Sequence, residues 1–543
     1  MKKLLALALA LVMVLSLVAC GGGSSSSTTE ETAAAAEEAA APAEEAAAPE
    51  EEAAAPAEGD DYKVLRYGTD ANCTTFNPYA DLNYNSSLAM VNLVAESLWD
   101  ADKDGNITPV LASFEYNDDD TLFTVHCEEG IVFSNGNPFT AEDALLTFNG
   151  FRDNGRTANM VESLDLDNAV IVDDYTLEIP VNYYDAALVC YLAIPTYCVL
   201  DAETHAEDPD YGWVIGTGPY YLDEWEESVK YVLKRNDNWR GEPGYYDEID
   251  IFFYAEESTR YADFQAGNLD VVFLTDASYI NNLGNGAMAG AKLFSQEGLS
   301  IAGLTLSINE DTTAAFADIN IRKALAHCID TPSIVESLGE GTYVVPDSLY
   351  TKDCWAYIPG TGAYEYDPEL AAEYLAEAGY GVDNPLTLTV YCSNTAWNTS
   401  LTEAVQFYAS VIGIDLDLTG VADFGTILPV LIANGQDISV GSPGSNSGLD
   451  PELQLQQAAS TSDNGQTRVA PSGEMDEILR EANSSHDQAE REELYKQFAQ
   501  MYHDEYIFIP MYLNTVNYGY GEALDFGACV DMYGYPDFYQ LGK

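Results

Sequence analysis

The chain has 543 residues, of which 47% are hydrophobic and 11% aromatic, so it can build a large folded core. It carries 90 acidic residues against 21 Lys and Arg, for a formal net charge of −69 at pH 7. A surface of that sign repels phosphate backbones, so DNA and RNA are excluded as expected partners.

An apolar run opens the chain. Lys2 and Lys3 precede residues 4–17, which are too few to span a bilayer comfortably and typical of a signal-peptide core. The letters LVAC at 17–20 resemble a bacterial lipobox, in which cleavage before Cys20 leaves groups that carry acyl chains. The alternative is an ordinary secretory signal that ends in a chance cysteine. The resemblance predicts a signal peptide at 1–19 and a lipid anchor on Cys20, since several acyl chains bind membranes durably.

A low-complexity segment follows. Residues 21–60 hold Gly, Ser, Thr, Ala, Glu and Pro with one final Asp, and no aromatic or branched aliphatic residue that could start a core. Pro42, Pro49 and Pro56 interrupt any Ala/Glu helix. We therefore predict a disordered tether that, with Cys20, makes up residues 20–60 and spans roughly 35 Å as a flexible chain.

The remaining residues, 61–543, are too many for one ordinary domain, so two lobes are expected. Strand-like runs such as KVLRYGT at 63–69 and LTLTVYC at 386–392 alternate with helices, which indicates a mixed α/β body. One helix is predicted after Thr140 as its N-cap. Another is predicted after Asp367, with Pro368 as its first helical residue.

No catalytic pattern stands out in the body. The five histidines are scattered, and the stretch GSNSG at 444–448 has Asn446 where a hydrolase nucleophile elbow needs serine. Eight cysteines beyond Cys20 form no CxxC pair, which disfavours zinc and leaves disulfide pairing open. We predict no enzymatic activity, no cofactor and no metal site.

One stretch, DADKDGNITPVL at 100–111, begins like a calcium-binding loop. Its closing position is Leu111, which lacks the bidentate carboxylate that such a loop needs. A hairpin turn around Asp104-Gly105 accounts for the same residues and is the favoured interpretation.

Seven blocks along the body resemble the family 5 extracellular solute-binding proteins, which include oligopeptide-, dipeptide- and nickel-binding receptors of ABC importers. The first contains FSNGNPFTAED, and a later one, LSINEDTTAAFADINIRKALAHCID, matches the strand, loop and arginine-bearing helix of the family. The blocks lie at 107–148, 216–239, 266–272, 306–330, 366–380, 408–418 and 490–512.

The resemblance implies an α/β fold of the two-lobed periplasmic-binding-protein type, in the large family 5 variant of class II, with a hinge and an interlobe ligand cleft. Lobe 1 would hold residues 61–302, lobe 2 would hold 303–509, and 510–543 would return to lobe 1. Hinge closure would enclose the ligand. A monomer anchored on the outer face of the cytoplasmic membrane would then pass solute to an ABC permease and its ATPase, and the tether would keep that solute nearby.

The ligand class follows less directly. In peptide-binding members of the family, an aspartate three residues before an acidic-Pro pair receives the α-amino group of the ligand. Here Asp450-Pro451 places Ser447 at that position, and serine lacks the full counter-charge of a carboxylate. An oligopeptide or peptide-like solute is the expectation, with an oligosaccharide or metal complex as the alternative and an exported hydrolase as a remote one. Asp450 either replaces the missing aspartate or caps a helix that begins at Pro451.

Further ligand contacts are expected from loops that the resemblance places at the cleft. Phe76, Tyr84, Trp397 and Phe424 offer flat apolar faces, although such aromatics are more often part of the core or of the lobe surface. Ser445, Asn446 and Ser447 lie in a Gly-rich segment that suits neutral hydrogen bonding or simple flexibility.

Overall fold

The computed structural model describes residues 62–70, 93–101, 106–153, 157–194, 198–208, 214–308, 314–393, 395–421, 437–441, 450–452, 455, 473–531 and 534–542. The signal peptide, Cys20 and the tether lie outside these ranges and stay predictions. Among the described residues, no helix is both long enough and apolar enough to cross a bilayer.

Strands and helices alternate along the chain, as the sequence indicates. The strands are β1 (Val64–Thr69), β2 (Trp99–Ala101), β3 (Ile107–Pro109), β4 (Ala112–Tyr116), β5 (Leu122–Cys127), β6 (Val170–Asp173), β7 (Thr176–Pro180), β8 (Tyr220–Glu226), β9 (Lys230–Arg235), β10 (Glu248–Phe253), β11 (Val271–Leu274), β12 (Ala291–Leu306), β13 (Leu386–Ser393), β14 (Ile414–Val421), β15 (Ile438–Gly441) and β16 (Phe508–Gly521). The α-helices are α1 (Ala141–Asp153), α2 (Leu188–Leu192), α3 (Ala202–Glu207), α4 (Glu257–Ala266), α5 (Ala277–Gly284), α6 (Ile319–Cys328), α7 (Thr331–Gly339), α8 (Pro368–Glu377), α9 (Ala396–Ile412), α10 (Gly473–Ser484) and α11 (Gln488–Asp504). Short 3-10 turns lie at Ala158–Val161, Leu166–Asn168, Ala314–Ala317 and Phe526–Cys529.

One large sheet runs through the body in the order β14-β13-β15-β12-β16-β11-β1-β10-β9-β8. Its two central strands, β12 and β16, are long and antiparallel, and they pair from Ala291 opposite Gly521 to Thr305 opposite Phe508. Parallel strands flank this pair on both sides: β13 and β14 on one, β1 and β10 on the other. The two long strands therefore connect two α/β halves.

Each half has its own hydrophobic core. We call lobe 2 the elements that share the core built from residues 301–513. We call lobe 1 the elements whose cores are built from residues 65–299 and 518–541. The two-lobed α/β fold is thus confirmed, while the predicted boundaries 61–302, 303–509 and 510–543 stay predictions.

Lobe 1 contains a second sheet that the sequence did not suggest. Its strands lie in the order β4-β5-β7-β6, all antiparallel. Its inner face packs against α1 around Trp99, Phe123 and Phe148, which are fully buried. This unit is a separate core within lobe 1.

The helix caps lie where the sequence predicts them. The Thr140 hydroxyl accepts the N–H of Glu142 (3.3 Å), and the Asp143 carboxylate accepts the N–H of Thr140 (2.6 Å) at the start of α1. Asp367 caps α8 by accepting the N–H of Leu370. The strands on either side of the calcium-like turn, β2 and β3, pair antiparallel as a hairpin requires, while the turn around Asp104-Gly105 lies outside the described residues and stays a prediction. Seven described cysteines, namely Cys127, Cys190, Cys198, Cys328, Cys354, Cys392 and Cys529, are buried free thiols.

Candidate functional site

Strand directions locate the cleft on the lobe 2 side. β12 runs from lobe 1 into lobe 2, and β15 is antiparallel to it, ending with Gly441 opposite Gly303. β13 is parallel to β15, and β14 is parallel to β13. The carboxyl ends of all three strands therefore face lobe 1.

The lobe 1 strands face the opposite way. β16 runs from lobe 2 into lobe 1, and β11 is antiparallel to it. β1 is parallel to β11, and β10 is parallel to β1, so their carboxyl ends face lobe 2. Open α/β sheets bind ligands beyond the carboxyl ends of their strands. Both lobes thus present such ends to one cleft, which is the candidate ligand site.

Trp397 lies at the lobe 2 side of this cleft. It occupies the first turn of α9, directly after β13, where Thr395 caps the helix. Its ring stacks on Tyr343 with centroids 4.0 Å apart and meets the edge of Tyr512 at 5.0 Å. Tyr512 belongs to β16, and the neighbouring Leu513 bridges Val344. These three rings, the aromatic wall, lie beside the strands that cross between the lobes.

The polar groups of this wall differ in how many hydrogen bonds they make. Asn398 donates its amide to the Ser393 hydroxyl (2.6 Å) and accepts from the Tyr512 hydroxyl (3.4 Å). The indole Nε1 of Trp397 is buried and has no acceptor of good hydrogen-bond geometry among the described residues, although it lies close enough to the Tyr512 hydroxyl to lower the pKa of that phenol. A buried donor without a partner costs about 1–3 kcal/mol, which a bound acceptor would recover. The wall therefore offers flat apolar faces and one N–H donor that makes no well-formed hydrogen bond to the described residues.

Both carboxylate oxygens of Asp450 accept hydrogen bonds from other residues of the protein. One carboxylate oxygen accepts the N–H of Glu452 (3.0 Å), and the other accepts from the Arg491 guanidinium (2.7 Å). Burial raises the pKa of Asp450, although Arg491 opposes the shift. These contacts are those expected of the capping interpretation. Direct contact between Asp450 and a ligand stays a prediction.

The other predicted site residues lie outside the part of the chain that the structure describes. They are Phe76, Tyr84, Phe424, Ser445, Asn446 and Ser447. Sequence reasoning missed Tyr343 and Tyr512, which complete the wall around Trp397. Tyr512 ends the last family-like block, so its position at a strand crossing was a usable signal, whereas Tyr343 sits in no motif. Among described residues, no three His, Cys, Asp or Glu side chains are grouped as metal ligands.

Most of the chain is similar to known proteins. A family model described as "Bacterial extracellular solute-binding proteins, family 5 Middle" matches residues 89–466. Heme-binding protein A of Haemophilus influenzae is 25% identical over 470 residues, covering 80% of this chain and 84% of its own length. The nickel-binding periplasmic protein of Escherichia coli is 24% identical, with 77% and 83% covered. The glutathione-binding protein GsiB of Escherichia coli is 26% identical, with 81% and 87% covered.

Solved structures share the fold. The periplasmic binding protein DppA from Helicobacter pylori, in complex with peptide STSA, has a TM-score of 0.75 at 20% identity and covers 88% of this chain and 97% of its own. The dipeptide binding protein from Pseudoalteromonas sp. SM9913, in complex with Met-Leu, has a TM-score of 0.76 at 18% identity and covers 88% and 99%. At these identities the similarity shows the architecture.

Proposed function

Since this chain belongs to family 5 of the bacterial extracellular solute-binding proteins and is thereby a substrate-binding receptor of an ABC importer, we propose that its solute is an oligopeptide or a peptide-like compound. The observation that carries the proposal is the aromatic wall of Tyr343, Trp397 and Tyr512, whose indole N–H makes no well-formed hydrogen bond to the described residues. The peptide complexes among the structural neighbours and the glutathione-binding relative support it.

A peptide matches this wall in two ways. Its side chains can lie against the ring faces, which bury apolar area and fix the orientation of the ligand. Its backbone carbonyls are strong acceptors at regular spacing, so one of them can take the N–H of Trp397. An oligosaccharide could also stack on the wall, and a metal complex would follow the heme- and nickel-binding relatives. These remain the alternative solutes, and an exported hydrolase remains the remote one.

A ligand screen separates these classes. We expect glutathione or di- to nonapeptides to raise the melting temperature of the body in thermal-shift assays and to bind in calorimetry. Saturation at 100 times Kd adds about 2.7 kcal/mol of stability, which such assays resolve. Binding of oligosaccharides, heme or nickel–histidine complexes alone would contradict the peptide proposal. Cleavage of a bound peptide or glycan, followed by mass spectrometry, would instead indicate the hydrolase.

Trp397→Ala should weaken binding of the solute found in that screen by about 10- to 100-fold, because it removes a central aromatic contact. Trp397→Phe keeps a stacking face but loses the N–H, so we expect a smaller loss. Trp225→Ala is the matched control, since Trp225 is 41% exposed on β8 at the far edge of the large sheet. Equal affinities for Trp397→Ala and the wild type in calorimetry would show that the aromatic wall is not part of the ligand site.

We further propose that Cys20 carries the lipid anchor and that the tether holds a monomeric receptor on the outer face of the cytoplasmic membrane. The basis is the lipobox-like LVAC at 17–20. Cys20→Ser should move the protein from the membrane to the soluble fraction and abolish the acyl mass of the mature N-terminal peptide. Ser24→Ala, four residues later, should change neither. An unmodified N-terminus in the wild type would rule the anchor out.

A further inference from the structure

The lobes also meet at a second place, formed by residues 183–192 of lobe 1 and by residues 450–452 and 483–495 of lobe 2. The backbone N–H of Ala186 donates to the carbonyl of Asn483 (2.8 Å). The ring of Tyr184 stacks on that of His486 with centroids 3.8 Å apart. His486 Nε2 lies 3.0 Å from the carboxylate of Asp120. We call this set the cross-lobe contact; it is made when the two lobes are together.

Next to the cross-lobe contact, buried carboxyl groups outnumber the buried cations that could neutralise them. Asp185 of lobe 1 and Asp450 and Glu452 of lobe 2 are all buried, with exposures of 7%, 2% and 4%. The buried cation nearby, Arg491, bonds to Asp450 at 2.7 Å. Asp185 accepts the N–H of Ala187 (2.9 Å). Glu452 has a hydrogen bond from the side chain of Asn483 and lies 3.4 Å from the Tyr495 hydroxyl, which donates mainly to the Asn483 amide oxygen (2.7 Å). Among the described residues, the carboxyls of Asp185 and Glu452 therefore have neutral donors but no cation of their own.

Other titratable groups do not restore the balance. Glu162 and Asp450 add negative charge, and Arg491 adds the positive charge already shared with Asp450. The remaining groups that face the pair, within the part of the chain that the structure describes, are phenols and a thiol, which burial keeps neutral by raising their pKa values. They belong to Tyr116, Tyr183, Tyr184, Tyr191, Tyr350, Tyr495 and Cys190. The Tyr191 hydroxyl is buried and has no hydrogen-bond partner in the described ranges.

We propose that Asp185 and Glu452, supplied by opposite lobes, make closure of the cleft a proton-consuming step, so that the receptor closes more tightly in mild acid than in mild alkali. When the lobes separate, water can solvate both carboxylates and no proton is needed. When they close, each carboxylate that cannot be solvated takes a proton from solvent and becomes a neutral carboxyl group. The proposal needs two lobes that close and does not depend on which solute is bound.

The pKa values of the two carboxyls in the closed form determine the direction of the pH effect on closure and the pH range in which it occurs. Burial raises the pKa of Asp185 to about 7, and burial together with Asp185 and Asp450 raises the pKa of Glu452 to about 8. A carboxyl exposed in the open form titrates near its ordinary value of about 4. The closed form therefore binds more protons, and its advantage is complete below about pH 4. This advantage is lost as the pH rises through about 7 to 8.

Hydrogen exchange of the Ala186 amide tests the proposal without a ligand, because that N–H bonds across the lobes. In the mature full-length protein, and after correction for the intrinsic exchange rate, we expect its protection to be at least tenfold greater at pH 6 than at pH 8. Small-angle scattering should show a smaller radius of gyration at pH 6. The double variant Asp185→Asn, Glu452→Gln keeps both shapes without charge and should make both readouts independent of pH. A backbone amide in β13 monitors global unfolding.

His486 needs its own control, because its contact with Asp120 also gains charge attraction when the imidazole is protonated. His486→Gln should lower the pH effect only in part and leave the contribution of the carboxyl pair. Protection of Ala186 that is equal at pH 6 and pH 8 in the wild type would overturn the proposal. Protection of Ala186 that still depends on pH in the double variant would overturn the proposal as well. Loss of protection at every pH in the double variant would show that the carboxylates hold a cation instead, which also contradicts it.

Discussion

Arg491→Met is expected to lower the free energy of unfolding by about 3–5 kcal/mol at pH 7, because it leaves a buried carboxylate without its cation. The Arg491 side chain is 6% exposed, and its guanidinium binds Asp450 at 2.7 Å while Nε donates to the carbonyl of Ala482 at 3.0 Å. Methionine fills similar volume, so the loss comes from charge and hydrogen bonds rather than from a cavity. Chemical denaturation followed by circular dichroism measures it.

A surface arginine provides the comparison. Arg152 pairs with Asp153 (2.8 Å) and Asp167 (3.3 Å), but its side chain is 39% exposed. Exposed ion pairs contribute about 0–1 kcal/mol, so Arg152→Met should change stability by no more than that. Equal losses for the two variants would mean that the buried pair contributes no more than a surface one.

A second substitution identifies the cause of the Arg491 effect. Asp450→Asn removes the charge that Arg491→Met leaves behind, so the double variant should recover a large part of the lost stability. Acid should also reduce the deficit of Arg491→Met, since without the guanidinium the pKa of Asp450 rises further and the carboxyl is neutralised more easily. A deficit that is the same at pH 5 and pH 8 would contradict this account.

The parts of the fold that depend on local signals could be predicted from the sequence. The N-caps at Thr140 and Asp367 and the antiparallel pairing of β2 with β3 each depend on residues close together in the chain, where propensity and capping chemistry decide the outcome. The two-lobed arrangement came from the order of family-like blocks. The separate core around Trp99 and Phe123 could not be predicted, because it depends on packing between strands and a helix that are distant in sequence.

A candidate ligand contact could be located from the sequence where the residue directly follows a strand, and its role in binding stays a prediction. Trp397 comes just after β13, so its place at the carboxyl edge of the sheet could be inferred. Tyr343 and Tyr512 reach it from other elements, which no periodicity connects. Composition likewise showed an excess of carboxylates but not which of them are buried. Asp185 and Glu452 are exceptions among many exposed acids, and only the meeting of the two lobes distinguishes them.

Gly303→Ala is expected to destabilise the protein by about 2–3 kcal/mol, because the added methyl group has no space between the two crossing strands. A Cβ at Gly303 would overlap the carbonyl oxygen of Ile509 and lie 3.0 Å from the backbone nitrogen of Met511. Neither backbone atom can move without opening the β12–β16 ladder, whose register already shifts between Ala302 and Gly303. Thermal unfolding should show a melting temperature lower by several degrees.

Gly298→Ala is the matched control on the same strand, since its Cβ would meet the carbonyl oxygen of Asn514 at 3.1 Å and needs a shift of only a few tenths of an ångström. We expect it to cost less than half as much as Gly303→Ala. Because β12 and β16 carry the backbone between the lobes, a local separation of the two strands at Gly303 should also change the angle at which the lobes meet. Gly303→Ala should therefore reduce the hydrogen-exchange protection of Ala186, whereas Gly298→Ala should leave it near the wild-type value. Equal stability and equal Ala186 protection in the two variants would show that the close approach at Gly303 does not set the interlobe geometry.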